Sequence, residues 1–519
     1  MTLDRGPVVF TDYIEANARH LSRRTVVVSG ERSLSWSEFN EITNRLANHF
    51  ISLGLLPGNR LGLVVNPDAA FVEVSIAALK ARLCVVPMSP LSTTETLVRL
   101  AKDANIKVLA VSPAYTAQGT EIKNQLGLSI SHCMVMQGSS EGFSEFDEVI
   151  RTASAADLTE APMPQDEFNI IYSSGTTGTP KGVVHTHYTR LMNMLSYAHR
   201  YGIRHDSVVI LSTTSSTNGS WVNMLPTLMT GGKLILMPKF DAEKMLDIME
   251  RDGVTHAFLV PTQIKGIFES PSFALRDFSK FKVLIAGGSK FPSALKRLAM
   301  ERWPGRLHEL YGMTEGSGTT LYPSDLPEKI DSVGRPIAGT EFRVIGEDGV
   351  ELPQGQVGEL VMRGVAIMKG YLNRPEADAE LVWRDPRGRL FIRTGDVGRV
   401  DDEGYVYIMD RQRDMIISGG INVFASDLED VIRLCPGVQD AAVIAALHEK
   451  WGETPLAIVV LEPGATITAE EVLKFSNDKL GKFQRLNSVI LRNSLFPRND
   501  LGKLMKRMLR DEYLAGQKL

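Results

Sequence analysis

Tyr172 to Val183 reads YSSGTTGTPKGV, a stretch whose residue types can do chemistry. Glycines permit main-chain angles closed to other residues and let a ligand come close to the backbone. Ser and Thr add hydroxyl donors, and successive N–H groups in such a turn form an anion-binding concavity. Lys181 adds a fixed positive charge. Together these features describe a loop built to hold phosphate. It is not a Walker A loop, which needs Gly, four residues, then Gly-Lys-Ser/Thr. Here Lys181 follows Pro180, and Gly182 stands where the magnesium-binding hydroxyl would be. A flexible linker would not follow the apolar run Phe168 to Tyr172 or end in Pro-Lys-Gly-Val-Val.

The elements that must position this loop alternate between helix and strand. Phe39, Ile42, Leu46 and Phe50 recur at helical spacing and predict a helix over 34–53. Strands are expected at 60–65, 85–87 and 107–111, which is the alternation of an α/β layer protein. After the loop, further strands are expected at 207–211, 233–237, 256–260 and 282–286, separated by helices. One of those helices carries Leu295, Leu298 and Ala299 on one face. A mainly parallel sheet binds ligands beyond its strand C-termini. Both the phosphate loop and the turn Gly287-Gly288-Ser289 follow a strand directly, so a nucleotide crevice is expected there.

From about 335 to 409, short strands with Asp-Gly and Glu-Gly turns predict hairpins of a small β subdomain. Beyond Asp410 the pattern is mixed α+β. Ser426 with Glu429, and Thr468 with Glu471, read as capping boxes that open two helices. Strands are expected at 441–446, 456–462 and 488–492. The chain therefore divides into 1–409 and 410–519, with the boundary at Asp410-Arg411.

With 519 residues, the chain has room for roughly three to four domains or subdomains. A hydrophobic share of 43% and a charged share of 23% are those of an ordinary globular protein. A net charge of −4 offers no basic footprint for nucleic acid. The first twenty residues lack a long apolar core, so a secretory signal is not expected. Val74 to Met88 is broken by Lys80 and Arg82 and is too short to span a bilayer. Cys84, Cys133 and Cys435 are widely spaced without a Cys-x-x-Cys pair, which fits a reducing cytoplasm.

Five further segments accompany the loop: LYGMTE (Leu310 to Glu315), GELVMRGVAIMKGYLN (Gly358 to Asn373), FIRTGD (Phe391 to Asp396), DRQRDMIISGGINVFASDLE (Asp410 to Glu429) and PRNDLGK (Pro497 to Lys503). In this order and spacing, the chain resembles the adenylate-forming superfamily of acyl- and aryl-CoA synthetases, adenylation domains and firefly luciferase. The resemblance implies a large α/β N-terminal domain of mainly parallel sheets plus a small β-barrel-like subdomain. A small mobile α+β C-terminal domain follows it. The implied reaction adenylates a carboxylic acid with ATP and Mg2+, releases pyrophosphate, and transfers the acyl group to coenzyme A.

Site residues follow from the same resemblance, position by position. Ser173, Ser174, Gly175, Thr176, Thr177 and Lys181 match the positions that hold the leaving pyrophosphate. Glu315, beside Thr314, matches the magnesium position, since magnesium takes hard oxygen ligands and bridges phosphates. Tyr311 matches the residue stacked on adenine. Gly287, Gly288, Ser289 and Glu309, with Leu310, Gly312 and Met313, match the nucleotide pocket. Asp396 matches the ribose carboxylate, and Arg411 a second ribose or phosphate contact. Lys503 matches the catalytic lysine, with Thr176 and Glu315 completing the catalytic set. Positioned charge of this kind is often worth ~10²–10³ in rate. Asp410 matches the hinge, and Ser418, Gly419 and Gly420 match the coenzyme A channel.

Two departures bear on the acid. LSTTSSTNGSW places small polar residues, Ser216 among them, where relatives carry a His or an aromatic gate. No charge occurs between Leu211 and Met224, so the expected acyl pocket of Ser216, Asn218, Trp221 and Gly316 is uncharged. It suits a medium-chain, cyclic or aromatic monocarboxylate. After the hinge, Ala425 and Asp427 replace the usual Pro and Glu. His185 and His187 lack a third ligand nearby, and packing or helix-surface roles are expected for them. The alternative is an acyl- or aryl-AMP ligase that loads a carrier-protein thiol. The expected partners are the acid, ATP and coenzyme A, without nucleic acid or a membrane segment, and a homodimer is among the assemblies left open.

Overall fold

The computed structural model describes residues 6–173, 180–411, 414–418, 421–448, 451–481, 484–499 and 502–516. Ser174, Gly175, Thr176, Thr177, Gly419 and Gly420 lie outside the described residues. The chain forms two compact units. The first is Met1–Ile330 with Ile337–Thr340 and Arg363–Leu381. The second is Asp331–Pro336, Glu341–Met362 and Val382–Leu519.

Two mainly parallel sheets build the first unit. One runs Arg32–Ser35, Thr25–Ser29, Lys233–Leu236, Val208–Leu211, His256–Leu259, Val283–Gly287, Leu307–Gly312, Gly318–Leu321. Its interior pairs are parallel and its Arg32–Ser35 and Gly318–Leu321 pairings antiparallel. The other runs Ser144–Glu145, Cys133–Val135, Val108–Val111, Arg60–Val64, Cys84–Pro87, Glu167–Ser173, Lys181–Thr186, Gly370–Tyr371. The expected strands all appear, shifted by a residue or so at their ends.

The expected first helix is Trp36–Ser52. Ser35 and Glu38 exchange capping bonds of 3.3 and 2.8 Å across its first turn, and Phe39, Leu46 and Phe50 are buried. Ala69–Lys80 is buried all round, as a helix enclosed by other elements must be. Its two charges are accounted for: Glu73 meets Arg32 at 2.6 Å, and Lys80 donates to Asn40 and Asn44 at 2.7 Å. Among the described residues no helix is long and apolar enough to cross a membrane. The three cysteines are buried and free. In Ser293–Arg302, Leu295 and Leu298 are only half-buried, and the helix buries Lys296 with Ala299.

The second unit carries an antiparallel sheet ordered Thr340–Ile345, Gly358–Gly364, Leu390–Val400, Val382–Arg384, with Val406–Arg411 also on Leu390–Val400. Its other sheet pairs Val438–His448 with Gly452–Leu461, and Ser488–Arg492 runs parallel to the latter. Thr468 and Glu471 form the expected capping box on Ala469–Asn477. Ser426 and Glu429 do not cap a helix: both lie within Ala425–Ile432. Ser426 Oγ instead donates to the Met409 carbonyl at 2.6 Å. Glu429 accepts from the Val443 N–H at 2.8 Å and pairs with Lys506 at 2.7 Å. Tertiary partners claimed side chains whose local spacing suited a cap.

Candidate functional site

The two ends of the expected phosphate loop are brought together by an antiparallel pair in which Ser173 faces Lys181. The Lys181 ammonium lies 4.9 Å from the centre of the Tyr371 ring, a cation–π distance. Tyr371 in turn donates its hydroxyl to Glu315 at 2.8 Å. Main-chain bonds of 2.8 Å from Met368 to the Glu315 carbonyl, Lys369 to Val184 and Leu372 to Gly182 hold this arrangement. Burial, then the Glu315 charge, push the Tyr371 phenol up, so it stays a donor at neutral pH. The role of Tyr371 was not legible in GELVMRGVAIMKGYLN, although an aromatic one residue after a glycine was its only signal.

Leu307–Gly312 carries Glu309, Leu310, Tyr311 and Gly312 between the strands Val283–Gly287 and Gly318–Leu321. A side chain at Gly318 would place its Cβ 1.7 Å from the Tyr311 carbonyl oxygen, so only glycine lets these strands close on Tyr311. Gly287 is buried opposite Leu310, Gly288 is exposed with φ of 89°, and Ser289 is half-buried. Tyr311, Met313 and Thr314 are half-buried, Gly312 is exposed, and Glu315 and Gly316 are buried. Glu309, expected in the base pocket, forms a buried ion pair with Lys296 at 2.5 Å. Burial outweighs that cation and raises its carboxyl to about 7. Lys296 also donates to the Ile330 carbonyl at 2.7 Å.

Along LSTTSSTNGSW, exposure alternates: Thr214, Ser216 and Asn218 are half-exposed, while Thr213, Ser215 and Thr217 are buried. Ser215 donates to the Val65 carbonyl at 3.1 Å, and Trp221 donates to the Ser215 carbonyl at 2.9 Å. The Trp221 ring is fully buried, edge-on to Phe71 at 5.5 Å and to Phe168 at 6.2 Å. It therefore braces the segment from the core, while Ser216 and Asn218 stay on the open side.

The cation missing from this window arrives from another element. Arg190, on His187–Tyr201, donates from Nη1 to Asn218 Oδ1 at 2.8 Å. Its Nε and Nη2 both reach Asn169 Oδ1, at 3.1 and 2.9 Å, and Nη2 lies 3.1 Å from His185 Nδ1. His185 Nε2 stands 2.8 Å from the Thr314 carbonyl. Burial, then Arg190, hold the His185 imidazole well below its ordinary value. His187 packs its ring 4.9 Å from Phe168, also buried.

Burial lowers both His187 and His256 to about 4, from an ordinary 6.5. Between those values the unfolded chain binds more protons, so stability falls as pH falls from 6.5 towards 4. By pH 5 the loss is expected to be ~2 kcal/mol per histidine. Urea titrations at two pH values measure it. His187→Phe, which keeps the contact with Phe168, should remove ~2 kcal/mol of the loss; an unaltered pH dependence would contradict the assignment.

In the second unit Asp396 and Arg411 face each other across paired strands, Arg411 Nε 2.7 Å from Asp396 Oδ1. Asp410 is buried; its carboxylate accepts the N–H of Arg411 at 2.7 Å and of Ser426 at 3.1 Å. Burial raises its carboxyl, and the nearby Lys506 opposes that rise. Ser418 ends the strand Ile416–Ser418. Lys503 is half-buried in a turn where its N–H donates to Asn499 Oδ1 at 2.9 Å and its carbonyl accepts the Asn499 N–H at 2.9 Å.

Known proteins match the chain along nearly its whole length. The family model described as "AMP-binding enzyme" matches residues 14–372, and "AMP-binding enzyme C-terminal domain" matches 427–503. The long-chain-fatty-acid–CoA ligase FadD13 of Mycobacterium tuberculosis is 32% identical over 484 residues, 93% of each chain. The feruloyl-CoA synthase of Amycolatopsis sp. is 30% identical over 502 residues, 96% of this chain and 97% of the relative. Among solved structures, ATP-bound MatB from Rhodopseudomonas palustris superposes with a TM-score of 0.88 at 28% identity, covering 97% of this chain and 99% of MatB. A strand pair that meets Glu315 through Tyr371, a strand presenting Tyr311, and matches along nearly the full length lead to one conclusion: this chain belongs to the AMP-binding enzyme family, the adenylate-forming superfamily.

Proposed function

We propose that the protein is an ATP-dependent, AMP-forming acid–thiol ligase that makes acyl-CoA. The observation that carries this reading is the near-full-length match to CoA ligases, a long-chain fatty-acid enzyme and a feruloyl enzyme among them. A carboxylate oxygen attacks the α-phosphorus of ATP and the bond to pyrophosphate breaks. The coenzyme A thiolate then attacks the acyl carbon, and AMP leaves.

Little covalent chemistry falls to the protein in such transfers; it positions groups and offsets charge. Lys181, with Ser173, Ser174, Gly175, Thr176 and Thr177, holds the departing pyrophosphate. Magnesium binds through one or two carboxylates plus phosphate oxygens. Glu315 fits that requirement, because it is a buried carboxylate held by Tyr371. When bound, the ion would neutralise charge on the phosphates. Tyr311 shelves the adenine beside Gly287, Gly288 and Ser289, with Leu310, Gly312 and Met313 around it; Asp396 and Arg411 take the ribose. Lys503 stabilises charge on the transferring oxygens. Asp410 is the hinge between a 1–409 adenylation domain and a 410–519 C-terminal domain, and Ser418 to Gly420 pass the pantetheine arm.

The acid is a medium-chain, cyclic or aromatic monocarboxylate, received beside Ser216, Asn218 and Gly316. Support for this comes from the half-exposed hydroxyl and amide side chains on the open side of LSTTSSTNGSW. The test is AMP and pyrophosphate release from ATP over hexanoate, decanoate, benzoate, ferulate and indole-3-acetate, with and without coenzyme A. Coenzyme A-dependent thioester is expected. ADP as product would refute the reading, and AMP release indifferent to coenzyme A would direct the acyl group to a carrier protein.

A further inference from the structure

We propose that Arg190 is a positioning residue that couples acid binding to nucleotide binding, holding Asn218 at one end and, through His185, the Thr314 carbonyl at the other. The proposal rests on the ligase reading above, which places Asn218 beside the acid and Glu315, the neighbour of Thr314, on the magnesium of ATP. All of these residues belong to the first unit.

Arg190 is 2% exposed, and it hydrogen-bonds to Asn169, Asn218 and His185, all uncharged. Among the described residues no carboxylate pairs with it. Burying a charge without a counter-charge is costly. A packing role would be met more cheaply by an apolar side chain of similar volume. What a guanidinium adds is a planar fork that fixes several acceptors in one geometry.

The direction of each bond is determined. A carbonyl only accepts, so His185 Nε2 carries the hydrogen that reaches Thr314. The unprotonated Nδ1 then accepts from Arg190. Asn218, Arg190, His185 and Thr314 thus form one continuous chain, with links of 2.8, 3.1 and 2.8 Å. Its far end adjoins Glu315, whose carboxylate is held by Tyr371. Its near end is half-exposed at the start of Asn218–Thr230. An acid that draws Asn218 towards itself also shifts the balance of bonds on the Thr314–Glu315 backbone. Such coupling is reciprocal, so ATP must favour the acid as much as the acid favours ATP.

The experiment measures binding of magnesium α,β-methylene-ATP to the full chain by calorimetry. It is repeated with a saturating concentration of whichever panel acid gives the most AMP. In the wild type the acid is expected to tighten the analogue at least ~5-fold. In Arg190→Met each ligand still binds, but the tightening falls below ~2-fold. His185→Leu should do the same, and the double variant should lose no more than either single one, as residues of one network do. If Arg190→Met does not fold, His185→Leu decides, since it keeps the guanidinium on Asn169 and Asn218 and cuts the chain at both of its His185 links. A residue that merely packs would lower the melting temperature and leave the ratio intact. A wild type without tightening, or variants that retain it, overturns the proposal. Failure of every acid to yield AMP would instead remove the ligase reading itself.

Discussion

Replacement of Lys503 by Ala is expected to lower acyl-adenylate formation by ~10²–10³ while leaving thioester formation from supplied acyl-adenylate within a few-fold of wild type. The first half-reaction brings an anionic carboxylate against a polyanion, so charge accumulates on the transferring oxygens and a positioned ammonium lowers the barrier. The second half-reaction expels AMP from a carbonyl carbon and has no such demand at that lysine. The turn that presents Lys503 is held by its main chain and by the Asn499 side chain, and Gly502 adopts φ of 73°. Those bonds run through the Lys503 main chain, which Ala retains. Pyrophosphate exchange reads the first half-reaction, and thioester release from synthetic acyl-adenylate reads the second. Equal losses in both would remove Lys503 from its role.

Lys296→Met is expected to give the largest loss of stability, ~3–5 kcal/mol, because it leaves Glu309 buried without its cation. The loss should depend on pH with a definite sign. Glu309 already titrates at about 7 in the folded protein, because burial outweighs Lys296. Without the ammonium its folded value rises further above the ordinary 4.5. A group whose folded value is raised contributes fully below its unfolded value and loses that contribution as pH rises through the folded one. The variant should therefore be weakest at alkaline pH and recover towards pH 5. Urea denaturation at pH 5.5 and pH 8 measures this, and Lys296→Met combined with Glu309→Leu should restore much of the loss. A variant equally stable at both pH values would contradict the account.

The amino-acid sequence by itself determined the class of fold and the family. These signals are local. A helix declares itself by recurrence near every fourth residue, as in Phe39, Ile42, Leu46 and Phe50, and a hairpin by its turn. YSSGTTGTPKGV and LYGMTE are contiguous, so the family resemblance they carry could be read without knowing where the chain goes next. The capping box at Thr468 formed for the same reason: its two partners are three residues apart.

Tertiary structure decided the partners of buried polar groups. Arg190 meets Asn218 across 28 residues, and Tyr371 meets Glu315 across 56. Lys296 lies between Leu295 and Leu298 in sequence, and it is buried with Glu309. Ser426 and Glu429 had the spacing of a cap, and the main chains of Met409 and Val443 took them instead. The physical reason is common to all four cases. A charged or hydroxyl side chain is stable in water or in a fully bonded interior, and its own sequence does not say which. That choice is made by the register of strands and helices distant in sequence, which is where the uncharged window around Ser216 and Asn218 acquired its guanidinium.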